Sequence, residues 1–171
     1  MPDSLQRGIR LHRKVDVYTD QHLEVKQLRA LFPGPLKKVA GIALDIYFDY
    51  LLYAHWEKYS SNTQQHLFER FYQQLADSSV LLNPRFARVK EGLLSHQWLA
   101  DYQHEESCLR AFFTIEQRLK GKIKFAQQAY ALLGENRQLI EAAFLRFYPD
   151  LLSQSKLIVS THDLIGTSHG N

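Results

Sequence analysis

The chain has 171 residues, 45% hydrophobic and 23% charged, a composition typical of a globular protein long enough to bury a core as one domain. It contains no apolar run of membrane-spanning length, and its first residues, MPDSLQRG, lack the apolar core of a signal peptide. The single cysteine, Cys108, excludes an internal disulfide and a Cys-rich zinc module, so we expect a cytoplasmic protein.

The net charge of +3 is concentrated near the start of the chain. Residues 1–40 hold eight Lys and Arg against four Asp and Glu, whereas the remainder carries a slight negative excess. This bias favours an acidic macromolecular partner, and a solvated basic face is the alternative explanation. Because no Lys/Arg run is interleaved with a nucleic-acid-binding motif, we do not expect a nucleic-acid partner.

In the first third of the chain the apolar residues recur at helical spacing. After a start signal at Pro2, a first helix is predicted to carry residues 5–16, and a second carries the apolar positions between 23 and 31. The sequence Pro-Gly-Pro at 33–35 ends that second helix. The most apolar stretch, 36–56, is predicted to form a central buried helix.

The rest of the chain continues the helical pattern. Further helices are predicted at about 64–76, 86–98, 109–119 and 123–133, followed by one that starts after Gly134 and is kinked or broken at Pro149. Residues 161–171 are small and polar and are expected to form a disordered tail. We therefore predict an all-α fold, a single-domain helical bundle over residues 1–160.

Two stretches place polar residues one helical turn apart. In GIRLHRKVDVYTD, the residues His12, Asp16 and Asp20 lie at i, i+4 and i+8, along one helix face. In GIALDIYFDYLLYAHW, Asp45 and Asp49 repeat the spacing inside an apolar run. Acids in apolar surroundings are costly unless they are paired, and a cation is a common partner. Carboxylates with one imidazole favour Mn²⁺ or Mg²⁺ over a thiolate-type zinc site.

Structural explanations of the same residues stay open. Asp16 and Asp20 are equally consistent with surface ion pairs to Arg10, Arg13 or Lys14, and the acids of the second stretch with pairing inside a core.

Cys108 is not a candidate nucleophile. The nearby Glu105 and Glu106 are expected to raise its pKa rather than lower it.

The two acidic stretches, together with KKVAG before the second and SHQWL at 95–99, resemble the bacterial acyl carrier protein phosphodiesterases, also called acyl carrier protein hydrolases. The resemblance runs from Gly8 to about Leu152. It implies an all-helical fold distantly similar to the HD-type metal-dependent phosphohydrolases. It also implies removal of 4′-phosphopantetheine from holo acyl carrier protein to give the apo form, a reaction of fatty acid and lipid metabolism that depends on a divalent ion, typically Mn²⁺.

Five residues carry that resemblance. His12, Asp16 and Asp20 match the family's His-Arg-x-x-Asp-x-x-x-Asp block, and Asp45 and Asp49 match its Asp-x-x-x-Asp block. By that match all five are candidate metal ligands, and all except Asp20 are also candidate catalytic residues. The match does not assign an individual role to each residue. The implied mechanism is attack of a metal-activated water on the phosphorus, with the metal neutralising charge on the phosphoryl oxygens.

Five basic residues are candidates for docking the acidic carrier protein or holding phosphate: Arg10, Arg13, Lys14, Lys37 and Lys38. The basic bias of residues 1–40 agrees with this role independently of the resemblance. The sequence does not indicate an oligomeric state.

The chain departs from the family pattern at two places. Family members usually carry an upstream segment with Asn-x-Leu-Ala-His and Gly-Asn-x-x-x-Asp-Phe elements, and we expect both to be missing here. Asp49 is followed by Tyr50 where the family often has His, and a phenol is not an equivalent ligand. Three alternatives therefore remain: an HD-like phosphohydrolase acting on a nucleotide or another phosphodiester, a catalytically impaired module that binds carrier protein, and a purely structural helical protein.

Overall fold

The computed structural model describes residues 3–77, 104–120 and 122–166. Within those ranges the α-helices are α1 Asp3–Gln21, α2 Leu23–Ala30, α3 Ala40–Ala54, α4 Gln64–Asp77, α5 Glu106–Arg118, α6 Ala126–Glu135 and α7 Arg137–Gly166. Short 3₁₀ helices occupy Gly34–Lys38 and Trp56–Lys58. The described ranges contain no strand, which confirms the all-α class. The helix predicted at 86–98 lies outside the described residues.

The first of two compact units comprises Met1–Leu44 and Gln128–Asn171. In this unit α1, α2 and α7 pack against one another. The inner stripe of α7 follows the i, i+3, i+4, i+7 pattern of an amphipathic helix. It consists of Ile140, Ala143, Phe144 and Phe147, each no more than 2% exposed.

Polar contacts attach the start of α2 to α7. The His22 side chain accepts a hydrogen bond from the Glu24 N–H at 3.3 Å, which caps α2, and its Nε2 lies 3.4 Å from Asp150 Oδ2. Arg146 donates to both carboxylate oxygens of Glu24 at 2.7 and 2.8 Å. This paired hydrogen bonding lowers the pKa of Glu24. The end of α1 and the start of α2 therefore have a defined position in this unit.

The second unit comprises Asp45–Gln127. Its buried side chains include Tyr47, Leu51 and Phe112. The hydroxyl of Tyr47 donates to Oε1 of Glu105, the residue just before α5, at 2.8 Å. This hydrogen bond satisfies the buried phenol. At the start of α4, Thr63 Oγ1 accepts a hydrogen bond from the His66 N–H at 3.2 Å and caps the helix.

The predicted buried helix over 36–56 is shorter than expected at both ends. Pro33 and Pro35 flank Gly34, whose φ of +47° suits a glycine, and the chain forms a 3₁₀ helix there before α3 begins. At the other end, a second 3₁₀ helix follows His55.

The last helix is longer and more continuous than expected. Gly134 lies inside α6, and the break falls at Asn136, between α6 and α7. Helix α7 passes through Pro149 and reaches Gly166, inside the segment expected to be a disordered tail. Serine hydroxyls in this helix bond to carbonyls one turn earlier, as Ser155 does to Leu151 and Ser160 to Lys156, so these polar side chains are accommodated within the helix. Residues 167–171 lie outside the described residues.

Candidate functional site

His12 and Asp16 lie side by side on α1. His12 Nδ1 is 3.0 Å from Asp16 Oδ2, and the two side chains are 76% and 58% exposed. A proton on Nδ1 satisfies this contact and leaves the Nε2 lone pair for a ligand or a proton. We call His12, Asp16 and Asp20 the polar stripe of α1. The structure brings its first two residues into contact.

Asp20, the third residue of that stripe, pairs with Arg29 on α2. Arg29 Nη2 donates to Asp20 Oδ1 at 2.6 Å. The sequence spacing suggests only basic residues of α1 as partners for this acid. Arg29 was missed because it lies nine residues away, beyond the break between two helices, where helical spacing gives no information.

Asp45 and Asp49 lie one turn apart on α3, both exposed, while Tyr47, Phe48 and Leu51 on the same helix are buried. Desolvation by the surrounding protein raises the pKa of Asp49 to about 6, and the like charge of Asp45 raises it further in the same direction. This carboxyl is solvent-accessible but crowded by apolar protein and by another acid. Perturbed acids of this kind are enriched at functional sites.

All five predicted basic residues are exposed. Arg10, Arg13 and Lys14 lie on α1, and Lys37 and Lys38 end the first 3₁₀ helix. These lysines belong to the same compact unit as α1. Arg13 is three residues before Asp16 and therefore borders the polar stripe.

Cys108 is fully buried, and its Sγ contacts the Ile46 carbonyl at 3.9 Å. Burial raises the pKa of the thiol to about 12, with the charges of Glu105 and Asp49 acting in the same direction. The thiol is therefore a poor nucleophile, in agreement with the prediction from the neighbouring acids.

A recess of about 470 Å³ lies in the second unit, between the end of α3 and the start of α4. Its lining includes Tyr53, Trp56 and Asn62, and the Trp56 indole N–H donates to the Asn62 carbonyl at 2.6 Å. None of the predicted site residues lines this recess.

The donor chemistry of the two pairs fits a hard divalent cation. Asp45 and Asp49 offer carboxylate oxygens, and a cation would offset both causes of the raised pKa of Asp49, desolvation first and the like charge of Asp45 second. Mg²⁺-type ions are often held by one or two carboxylates, with water and substrate phosphate completing the coordination. No three His, Cys, Asp or Glu side chains form a potential metal-binding group among the described residues. The five-ligand site therefore stays a prediction.

Comparisons with known proteins agree with the resemblance seen in the sequence. A family model described as acyl carrier protein phosphodiesterase matches residues 1–151. A protein of that name from Klebsiella pneumoniae (strain 342) is 31% identical over 156 residues, covering 88% of this chain and 78% of its own length. The corresponding protein from Enterobacter sp. (strain 638) is 30% identical, covering 91% of this chain and 80% of its own length.

A more distant relative of the same name comes from Escherichia coli (strain K12 / DH10B). It is 28% identical over 159 residues, covering 90% of this chain and 80% of its own length. No solved structure matches the chain, so the distant likeness to HD-type phosphohydrolases stays a prediction. In the part of the chain that the structure describes, no helix is long and apolar enough to cross a membrane.

Proposed function

This chain belongs to the acyl carrier protein phosphodiesterase family, and we propose that it hydrolyses the phosphodiester between 4′-phosphopantetheine and a serine of holo acyl carrier protein, leaving the apo form. The observation that carries the proposal is the family match over residues 1–151, which includes both acidic stretches. The single, buried cysteine suits a reaction in the reducing cytoplasm, and the chemistry belongs to fatty acid and lipid metabolism.

Asp45 and Asp49 are the residues we assign to holding a divalent cation, Mn²⁺ in preference or Mg²⁺. When bound, such a cation polarises phosphoryl oxygens and lowers the pKa of coordinated water. Asp49 supports the assignment because its carboxyl is accessible and its pKa of about 6 leaves it mostly ionised at neutral pH. The ionised carboxylate of Asp49 lies near the like charge of Asp45, and a positive charge would offset this repulsion.

His12 and Asp16 act as a second polar pair. With the proton on Nδ1 shared toward Asp16 Oδ2, the carboxylate fixes the orientation of the ring and leaves Nε2 to bind or to accept a proton. Both side chains are largely exposed, so a protein-sized substrate reaches them without opening the fold.

The exposed basic residues are proposed to recognise the carrier protein. Arg10, Arg13 and Lys14 on α1, with Lys37 and Lys38, present positive charge in the same unit as the polar stripe. An acidic partner is steered by such a field, which acts mainly on the rate of association and on orientation.

The test is an assay of the purified protein with Mn²⁺ on holo acyl carrier protein and, in parallel, on a small phosphodiester, bis(p-nitrophenyl) phosphate. We expect phosphopantetheine release, followed by the intact mass of the carrier protein, and loss of activity with a chelator. Cleavage of the small diester with the carrier left intact would instead identify a different phosphohydrolase. Tight carrier binding without hydrolysis or metal uptake would identify a binding module.

A further inference from the structure

The recess between the end of α3 and the start of α4 begins one helical turn beyond the acids assigned to the cation. Tyr53 lines it and follows Asp49 by four residues, as Asp49 follows Asp45. Residues at i, i+4 and i+8 lie along one helix face, and four residues span about 6 Å of helix axis. Both acids are exposed and Tyr53 is half-buried, whereas Tyr47 and Leu51 are buried. The recess therefore lies at the end of the accessible stripe of α3 that carries both acids.

Hydrogen bonds within the loop that connects α3 to α4 fix the walls of the recess. The Trp56 indole N–H donates to the Asn62 carbonyl at 2.6 Å, and the Asn62 N–H donates to Ser60 Oγ at 3.2 Å. The side-chain amide of Gln64 donates to the Tyr53 carbonyl at 2.7 Å, which joins the end of α3 to the start of α4. The walls are thus held by the protein's own hydrogen bonds, and the volume of about 470 Å³ falls within the usual range for small-molecule sites.

The lining of the recess has the chemistry of a site for a neutral polar molecule. It combines the aromatic residues Tyr53 and Trp56 with residues that carry hydroxyl or carboxamide groups, namely Ser60, Ser61, Asn62, Thr63 and Gln64. Among the described residues that line it, Glu57 carries the charge, and its exposed carboxylate repels a phosphate. A ligand of the recess is therefore expected to carry amide and hydroxyl groups rather than negative charge.

We propose that the recess binds the pantetheine arm of holo acyl carrier protein while the phosphodiester lies at Asp45 and Asp49. The inference rests on the proposed function and adds to it a subsite for the part of the substrate that does not react. The arm is neutral and carries two amide groups, a hydroxyl and two methyl groups. The hydroxyl, carboxamide and aromatic residues of the recess complement these groups.

The position of the recess fits the connectivity of the substrate. The arm is esterified directly to the phosphate, so a subsite for the arm has to begin within a few ångströms of the group that holds the phosphate. The helical turn of about 6 Å between Asp49 and Tyr53 meets this requirement. Because hydrolysis breaks the bond between phosphorus and the serine oxygen, arm and phosphate stay together, and the arm keeps its place through the reaction.

The first measurement is binding of reduced pantetheine to the metal-free wild-type protein, followed by the indole N–H signal of Trp56 in ¹⁵N-correlated NMR spectra. Adenosine is the comparison ligand, because a purine also stacks on aromatic residues. We expect pantetheine to shift the Trp56 signal in a saturable way, and adenosine to leave it unchanged.

Two variants fill the recess from exposed residues of its lining, Ala54→Phe and Ser61→Phe. Because neither position belongs to the buried core, both proteins are expected to fold. Each should weaken pantetheine binding by about 10-fold or more, since a well-formed site does not accommodate added volume. The matched control is Gln117→Phe, which adds the same ring at an exposed position of α5 in the same unit and should keep wild-type affinity.

The second measurement is kcat/KM for phosphopantetheine release in the presence of Mn²⁺. Ala54→Phe should lower it by about 10-fold, because binding of the arm no longer contributes to the reaction. Mn²⁺ affinity, measured by calorimetry, should stay at the wild-type value. This combination separates loss of arm binding from damage to the acids of α3.

The proposal is overturned if pantetheine leaves the Trp56 signal unchanged, if both recess variants bind it as the wild type does, or if adenosine shifts the signal in its place. Any of these results, with a wild type that hydrolyses the holo carrier, disproves the role of the recess alone. A wild type that binds pantetheine at Trp56 but releases none from the carrier disproves the proposed function alone.

Discussion

In α1, Asp16 lies 3.0 Å from an imidazole, and Asp20 accepts a hydrogen bond from a guanidinium. In α3, by contrast, the Asp49 carboxyl is desolvated, and the acid one turn away repels it, so its pKa rises to about 6. The same four-residue spacing therefore produces two electrostatic environments. Asp16 and Asp20 have protein partners, whereas the ionised form of Asp49 is held at a cost to folding.

This difference separates structural from functional explanations. Ion pairing explains the acids of α1 without any ligand, as the sequence already allowed. It does not account for Asp49, whose carboxyl is desolvated and lies near the like charge of Asp45. Stored electrostatic strain of this kind is a feature of functional sites, where a ligand or a reaction uses it. The acids of α3 are therefore the stronger candidates for chemistry.

The largest effect is expected when the acids of α3 are neutralised. Asp45→Asn and Asp49→Asn should each lower kcat/KM for phosphopantetheine release by more than about 100-fold, because loss of a direct ligand exceeds the loss of a group behind it. Glu69→Gln, which removes an exposed carboxylate from the same unit, is the control and should retain activity. Full activity in either asparagine variant would remove the α3 acids from the site.

A smaller effect is expected from the acid of α1. Asp16→Asn should reduce kcat/KM by about 10- to 100-fold by releasing the orientation of His12. Its free energy of unfolding should change by less than about 0.5 kcal/mol, because the pair is exposed. The two measurements are kcat/KM and chemical denaturation. An unchanged kcat/KM would mean that the His12–Asp16 contact is only a surface pair.

Removing positive charge tests whether the first unit also recognises the partner. Lys37→Glu combined with Lys38→Glu should raise KM several-fold at low salt with little change in kcat, and the effect should shrink as salt is added. The control combines Lys122→Glu with Lys124→Glu, two exposed lysines of the second unit. If both double variants behave alike, net charge rather than a defined surface governs binding.

The smallest effect concerns stability. The folded-state pKa of Asp49, about 6, lies above the ordinary aspartate value of 3.8, so the folded protein binds this proton more tightly than the unfolded chain. Stability from this group therefore falls as the pH rises from about 4 to 6 and stays lower above that range. Asp49→Asn should raise Tm by about 1–3 °C at pH 8 and by less at pH 4, measured without metal. A lower Tm of the variant at pH 8 would contradict the claim that the ionised Asp49 carboxylate destabilises the folded protein.

Sequence patterns predicted the helices where local chemistry determines them. The Pro-Gly-Pro segment at 33–35 follows the end of α2, and a further helix starts after Gly134, as predicted. The break between α6 and α7 falls at Asn136, two residues after the predicted Gly134. Pro149 does not end α7, because tertiary packing of the apolar stripe of this helix outweighs the local preference of a single residue.

The site was predictable only as far as its residues share a helix. Spacing found the neighbours His12 and Asp16, and it found Asp49, whose pKa is raised by desolvation and then by the like charge of Asp45. It could not find Arg29, whose contact with Asp20 depends on how two helices pack. The one available signal was Gly41, against which the Arg29 guanidinium lies, since a glycine at the start of an otherwise apolar helix marks a close approach by another group.

The most direct test of the central claim is the intact mass of holo acyl carrier protein after incubation with Mn²⁺ and either the wild-type protein or Asp49→Asn. We predict that the wild type converts the carrier to its apo form with release of 4′-phosphopantetheine, and that the folded variant leaves it in the holo form. A carrier that stays holo with the wild type, or that both proteins convert equally, would contradict the account.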